Sequence, residues 1–351
     1  QFDGAMDFVR ISMGALEPSQ FVLPKTYLAD FSPTNNASFF TSSTTAAFAV
    51  RSPLAGVAAS NILVAINGAD VTGQLALAGD DRDRTVTLPA LEANVLYGVS
   101  IAVTDREGLT IRQEWTFNTF GPGALFVEGE DYNFNGGQFI DSPQLSSAPA
   151  ADNYLDQLGV EGIDYHQTNI PPALAQYRIY DAAGTAVSSD AMRQAYLDAQ
   201  ALDPGVADYV LRENANSEWL NYTRTFPSGT YRVYARLAKP GTVPVVIQVD
   251  EVVSGSTGIA QTLAPIGAFR RAPTGGDSQY EFVPLTDALG NEVGVRLSGV
   301  RTLRLTFVSG GANVNLNYVL FAPTSHAQAP FLVSAAPAPG AGNEPPDAAI
   351  R

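Results

Sequence analysis

Residues 218–238 read EWLNYTRTFPSGTYRVYARLA, and the alternation inside this stretch decides the fold. From Tyr231 to Leu237, the residues Tyr231, Val233, Ala235 and Leu237 fall on one side of an extended chain, while Arg232, Tyr234 and Arg236 fall on the other. That is the period-two pattern of a β-strand with one apolar face. Glu218 to Phe226 alternates in the same way, and Pro227-Ser228-Gly229 between the two runs is a turn signal. One face of this pair is expected to be core, and the other to meet solvent or a ligand.

Working outward, similar runs follow at Val243 to Val252, Gln279 to Leu285, Val293 to Leu297, Thr302 to Val308 and Val314 to Phe321. Upstream they recur at Ala46 to Arg51, Ile62 to Ile66, Thr85 to Leu88, Tyr97 to Val103 and Thr110 to Phe117. Turn signals at Asn67-Gly68, Gly79-Asp80-Asp81 and Arg106-Glu107-Gly108 separate them. One helix is predicted, inside a loop-rich stretch at 131–216. Ser189 or Asp190 would cap it, Met192, Ala195, Tyr196 and Ala199 share a face, and Pro204 stops it. The chain therefore reads as all-β: one sandwich at 27–120 and a second at 121–324 that carries an insertion with a short helix.

The composition excludes several kinds of chemistry. Across 351 residues, 20 basic and 35 acidic side chains leave a formal charge of −15, which argues against a nucleic-acid partner. Cysteine is absent, so thiolate metal sites and thiol nucleophiles cannot form; the only histidines are His166 and His326. No apolar run is long enough for membrane insertion. The motifs G-x-S-x-G, H-E-x-x-H, G-x-G-x-x-G and the phosphate-cradling G-x-x-x-x-G-K-[ST] do not occur, and no enzyme is expected. Asp131 to Gly136, DYNFNG, begins like a calcium-binding loop, but its twelfth position is Ser142, so it reads as a turn with left-handed Asn and Gly. Asp80, Asp81 and Asp83 alternate with Arg82 and Arg84 and read as a solvated hairpin tip.

Longer blocks carry family resemblances. SPLAGVAASNILVAINGADVT and YGVSIAVTDREGLTIRQEWTFNTF resemble the Ig-like domains of large bacterial surface proteins. FDGAMDFVRI, from Phe2, resembles the last strand of a laminin-G-like domain, which assigns 1–26 to that domain's end and a connector. Residues 325–351 resemble a linker and the first strand of another Ig-like domain. LFVEGEDYNFNGGQF, SEWLNYTRTFPSGTYRVYARLA and LRLTFVSGGANVNLNYVLF resemble, in order, the first, middle and last strands of carbohydrate-binding modules of the galactose-binding-like jelly-roll type.

The last resemblance implies a structural Ca²⁺ held by Glu128 and Glu130 of the first strand and Asn317 of the last. It implies sugar contacts from Asn313, in the loop before the last strand, and from Tyr165 with its neighbours Asp164 and His166. Where many relatives have an aromatic residue after Thr-Gly-Gly, this chain has Thr274-Gly275-Gly276-Asp277, and Tyr280 is the next ring. Trp219 alternates with Leu220 and reads as core. The function so implied is non-catalytic polysaccharide binding in an extracellular or cell-surface, multi-modular bacterial protein. The alternative is a structural link in a stalk or fibre, with copies joined head to tail by strand addition. A weaker alternative is a polysaccharide-degrading domain that uses carboxylates such as Glu130, Asp131, Asp164 or Glu218.

Overall fold

The computed structural model describes residues 25–41, 45–144, 149, 150, 152–168, 176–200 and 207–325. The laminin-G-like strand expected at Phe2 to Ile11, the strand expected after 325 and His326 lie outside these residues. The chain divides into two compact units, one built mainly from residues up to 117 and the other mainly from residues 118 onward. No helix among the described residues is long and apolar enough to cross a membrane.

The first unit comprises β1 (Tyr27–Ser32), β2 (Ala47–Arg51), β3 (Ile62–Ile66), β4 (Ala69–Asp70), β5 (Ala76–Gly79), β6 (Asp83–Thr87), β7 (Leu96–Thr104) and β8 (Thr110–Asn118). They form two four-stranded antiparallel sheets, ordered β1-β2-β6-β5 and β4-β3-β7-β8. Alternate residues such as Phe48, Val64, Val86, Ile101 and Trp115 are buried. The Trp115 indole donates to the carbonyl of Pro33 at 3.1 Å, which satisfies its single polar atom. At the acidic hairpin tip, Asp80 Oδ1 accepts from the backbone N–H groups of Arg82 and Asp83 at 2.8 and 3.1 Å, an ordered turn.

The second unit contains β9 (Leu125–Glu128), β10 (Tyr165–His166), β11 (Thr185–Val187), α1 (Arg193–Gln200), β12 (Tyr209–Leu211), β13 (Trp219–Ala238), β14 (Val245–Ser254), β15 (Thr262–Arg271), β16 (Tyr280–Thr286), β17 (Gly294–Ser309) and β18 (Asn315–Thr324). β13 is the organising strand. Its first half pairs with β17, and its second half runs between β18 and β16. The ladder continues from β16 through β15 and β14 back to β17, so the strands enclose a core. Leu220, Tyr222, Val233, Leu237, Val249, Phe269, Leu305 and Phe321 fill it.

The sequence pattern splits β13 and β17 where the structure does not. Pro227-Ser228-Gly229 is a register shift inside one continuous strand, because a bulge tolerates the missing N–H of proline. β15 escapes the pattern, since TLAPIGAFRR breaks alternation with Pro265 and Gly267. The predicted helix is present as α1: Asp190 Oδ1 accepts from the Met192 N–H at 2.9 Å, and Tyr196 and Leu197 are buried.

The expected exposed face of Tyr231 to Leu237 needs correction. Tyr234 and Arg236 are buried under a second apolar layer that contains Phe120, Phe126, Tyr196, Leu197 and Phe282. Alternation reports which side chains share a face, and it is blind to what later packs on that face. The Arg236 guanidinium tolerates burial because Asp190 takes two of its N–H groups, at 2.7 and 2.6 Å. Asp190→Ala is expected to destabilise this unit by about 3–5 kcal/mol in urea unfolding, by leaving a buried unpaired cation. The double substitution Asp190→Leu with Arg236→Met should recover most of the loss; a single substitution as mild as a surface change would refute the pairing.

Candidate functional site

Two places in the second unit combine polar side chains with unusual burial. The first is the seam where β9 meets the last strand. β9 runs antiparallel to β18, with Val127 opposite Val319 and Glu128 opposite Tyr318, and the Gly129 N–H donates to the Asn317 carbonyl at 2.6 Å. The approach is so close that a Cβ on Gly129 would lie 2.4 Å from the Leu316 oxygen, so only glycine fits here. Glu128 ends the strand. Glu130, which the resemblance placed on the first strand, instead follows in a turn closed by the Asp131 N–H on the Glu128 carbonyl at 3.2 Å.

Sequence reasoning singled out Glu128, Glu130 and Asn317, which the structure brings to this seam, and gave no sign of the groups that join them. Asn317 donates to Asp208 at 3.1 Å and to Asp190 at 3.4 Å. Arg193 lies 3.8 Å from Asp208. Asp131 accepts from the Tyr177 hydroxyl at 2.8 Å, and its carbonyl accepts from Arg224 at 3.2 Å. Five carboxyls (Glu128, Glu130, Asp131, Asp190 and Asp208) thus face three guanidiniums (Arg193, Arg224 and Arg236) in a buried, electrostatically connected set. With every group ionised the imbalance would be two negative charges.

Desolvation dominates the electrostatics. Burial, then repulsion from Asp208 and Asp131, holds Glu128 well above the usual carboxylate range. Burial, then repulsion from Glu128, does the same for Glu130. Asp131 is pushed up to about 6 by burial, against the pull of Arg224 and the Tyr177 hydrogen bond, and Asp208 is pushed up to about 6 by burial. One oxygen each of Glu128, Glu130, Asp131 and Asn317 is buried without a hydrogen-bond partner. These are hard oxygen donors, and in kind they fit a divalent cation. Among the described residues, however, no three acidic or histidine side chains are gathered into a cage around one point.

The second place is the outer face of the sheet around Trp219. Inter-strand register lines up His166 of β10, Trp219 of β13, Thr306 of β17 and Gln248 of β14 across the strands. All four side chains are half-buried. Three inter-strand steps give the row a length of about 14 Å. Leu220 points into the core, whereas Trp219 points away from it, so the expectation of a core tryptophan is corrected. The Arg304 guanidinium lies 3.5 Å from the centre of the Trp219 ring and is the more buried partner. Arg304 is held by Asn221 at 3.1 Å and by Gln261. His166 stands at the other side, its ring centre 6.1 Å from that of Trp219 and its Nδ1 2.6 Å from Glu161.

The remaining predicted contacts scatter. Tyr165 is in the core, packed edge-on against Tyr132, and has no free ring face for a sugar. Asp164 is fully buried and staples loops together, accepting from the N–H groups of Gly136, Gly137 and Val160 at 2.9, 2.6 and 2.8 Å. The DYNFNGG segment is the left-handed turn predicted for it, with φ of 48°, 77° and 97° at Asn135, Gly136 and Gly137. Tyr280 is buried over Arg236, and Asn313 is exposed in the loop before β18.

No family model and no curated protein matches this chain. Among solved structures, it is similar to a family 6 carbohydrate-binding module at 15% identity, with 57% of this chain and 94% of that chain covered and a TM-score of 0.31. A β-1,3-glucan-binding family 6 module from Bacillus halodurans matches at 18% identity, covering 40% and 85%, with a TM-score of 0.26. A family 36 module in complex with calcium and xylotriose matches at 15% identity, covering 34% and 85%, with a TM-score of 0.22.

The raised carboxyls set a direction for stability against pH. Asp131 and Asp208 bind protons more tightly folded, at about 6, than at their ordinary 3.8. Their contribution is complete below pH 4 and is lost as pH rises through 6, on the order of 2–3 kcal/mol for each. In chelator the second unit should therefore melt at a lower temperature at pH 8 than at pH 5, and Glu130→Gln should raise the pH 8 value by several degrees. Calorimetry that finds equal melting at both pH values would count against a desolvated cluster.

Proposed function

We propose that the second unit is a non-catalytic carbohydrate-binding module, and that its polysaccharide lies along the His166–Trp219–Thr306–Gln248 row. The observation that carries this reading is Trp219 itself. A tryptophan on an outer sheet face, with a buried guanidinium against its ring and the His166 ring beside it, is firmly held and yet remains partly exposed. An indole fixed in this way offers a flat apolar surface for the C–H face of a pyranose, and the flanking imidazole, hydroxyl and amide supply hydrogen bonds to its hydroxyls. Because Arg304 holds the ring before any ligand arrives, little conformational entropy remains to be lost on binding.

The jelly-roll-like arrangement of β9 to β18 and the three sequence blocks that resemble such modules support the same reading. Within it, Ca²⁺ at the β9–β18 seam, near Glu128, Glu130 and Asn317, would neutralise the surplus charge and clip the first strand to the last. The setting that fits is an extracellular or cell-surface protein in which this unit supplies adhesion and a partner domain supplies any chemistry.

Trp219→Ala is expected to abolish retention of the chain in affinity gels cast with soluble neutral polysaccharides, because stacking of this kind contributes about 1–3 kcal/mol. Tyr165→Phe should leave retention unchanged. A Trp219→Ala variant retained like the parent would remove the proposal. Added calcium should raise the melting temperature of the second unit at pH 7.5 by several degrees, and that of Glu130→Gln by less; a chelator-insensitive melt would remove the cation.

A further inference from the structure

A second aromatic side chain in the insertion stands out for the opposite reason to Trp219: it is almost free. Tyr180 is 71% exposed. It sits at the corner of a turn closed by the Asp181 N–H on the Arg178 carbonyl at 3.0 Å. The two residues that flank the corner are among the most firmly anchored in the unit. Arg178 and Asp181 pair at 2.8 Å, both side chains essentially inaccessible. The Arg178 guanidinium lies 3.6 Å over the Tyr132 ring and donates to the carbonyls of Gln157, Tyr132 and Asn133. Asp181 accepts from the Tyr132 hydroxyl at 2.7 Å and from the Gly159 N–H at 3.0 Å. The turn is thus bolted down from beneath, while Ile179 and Tyr180 are driven outward.

This corner is connected to the Trp219 row. Glu161 contacts His166 at the end of the row, and residues 158–160 lead from Glu161 to the Gly159–Asp181 contact. Leu158 and Val160, both exposed, line that path. Four exposed side chains amount to at most a few hundred Å², short of the roughly 800 Å² that each partner of a stable protein complex buries. A sugar ring needs only one aromatic face, and here the backbone that carries it is already fixed by the anchored turn.

We infer that the turn at Ile179-Tyr180 is an additional contact for the polysaccharide, reached only by chains long enough to run past His166 and Glu161. This inference rests on the polysaccharide-binding reading of Trp219. It makes the insertion a device that selects polymers over short oligosaccharides. Tyr180 is mostly exposed, so Tyr180→Ala should fold normally.

The test measures binding of the full chain to soluble mixed-linkage β-glucan, xylan and galactomannan and to the trisaccharide of each, by affinity electrophoresis and calorimetry, for the parent, Tyr180→Ala and Trp219→Ala. The expected result is a polymer affinity lowered about fivefold to tenfold by Tyr180→Ala, with trisaccharide affinity unchanged, while Trp219→Ala loses both. Parent-like polymer binding by Tyr180→Ala, with binding lost in Trp219→Ala, overturns the inference and keeps the Trp219 reading. Absence of binding to every polymer, or binding that Trp219→Ala leaves intact, overturns both. Concentration-dependent dimers that Tyr180→Ala dissolves in light scattering would assign the turn to a second copy of the chain and overturn the inference as well.

Discussion

Burial of charge at the seam between the first and last strands of the second unit is the constraint around which that unit is arranged. Taking carboxylates out of water is unfavourable by several kcal/mol each unless opposite charge or hydrogen bonds replace the lost solvent. Asp190 solves the problem completely through its two-point contact with Arg236. Asp208 and Asp131 solve it in part, through Asn317 and Tyr177. Glu128 and Glu130 keep an unpartnered oxygen each. The strand order cannot be separated from this arrangement, because the set assembles only when β9 lies against β18 and Ser188, Asp190 and Asp208 come to Asn317.

The insertion is accordingly more than an added loop. Its helix covers a sheet face with Tyr196 stacked on Tyr318, ring centres 4.3 Å apart and nearly parallel. Its cap residue, Asp190, is also the partner of Arg236, so one side chain both starts the helix and neutralises a strand cation. Arg178 plays the corresponding part for the loops, drawing three carbonyls and one carboxylate around a single guanidinium. A planar group with five donors is well suited to organise irregular backbone, whose carbonyls have no sheet partners of their own.

The face around Trp219 stays open because its charge is satisfied from within. Arg304 directs its hydrogen bonds to Asn221 and Gln261 and its flat surface to the indole. Gln261 and Asn221 in turn both donate to the Ile163 carbonyl, which ties the β14–β15 hairpin and the β10 loop together beside the tryptophan. The ring is therefore positioned by a polar scaffold rather than by apolar packing.

Much of this was legible in the amino-acid order. Period-two alternation, Gly and Pro turn signals and a cap at Ser189 or Asp190 determined the all-β class, most strands and the helix, because each depends on backbone geometry a few residues long. Glu128, Glu130 and Asn317 were singled out through a strand pattern that resembles a family. Only the tertiary structure decided that Pro227 sits in a bulge, that Tyr234 and Arg236 are covered, that Tyr165 is core and that Trp219 faces out. Asp208 gave no local signal at all. Whether a face is wet or buried, and which charges meet, is set by segments up to a hundred or more residues apart, and no local period records that distance.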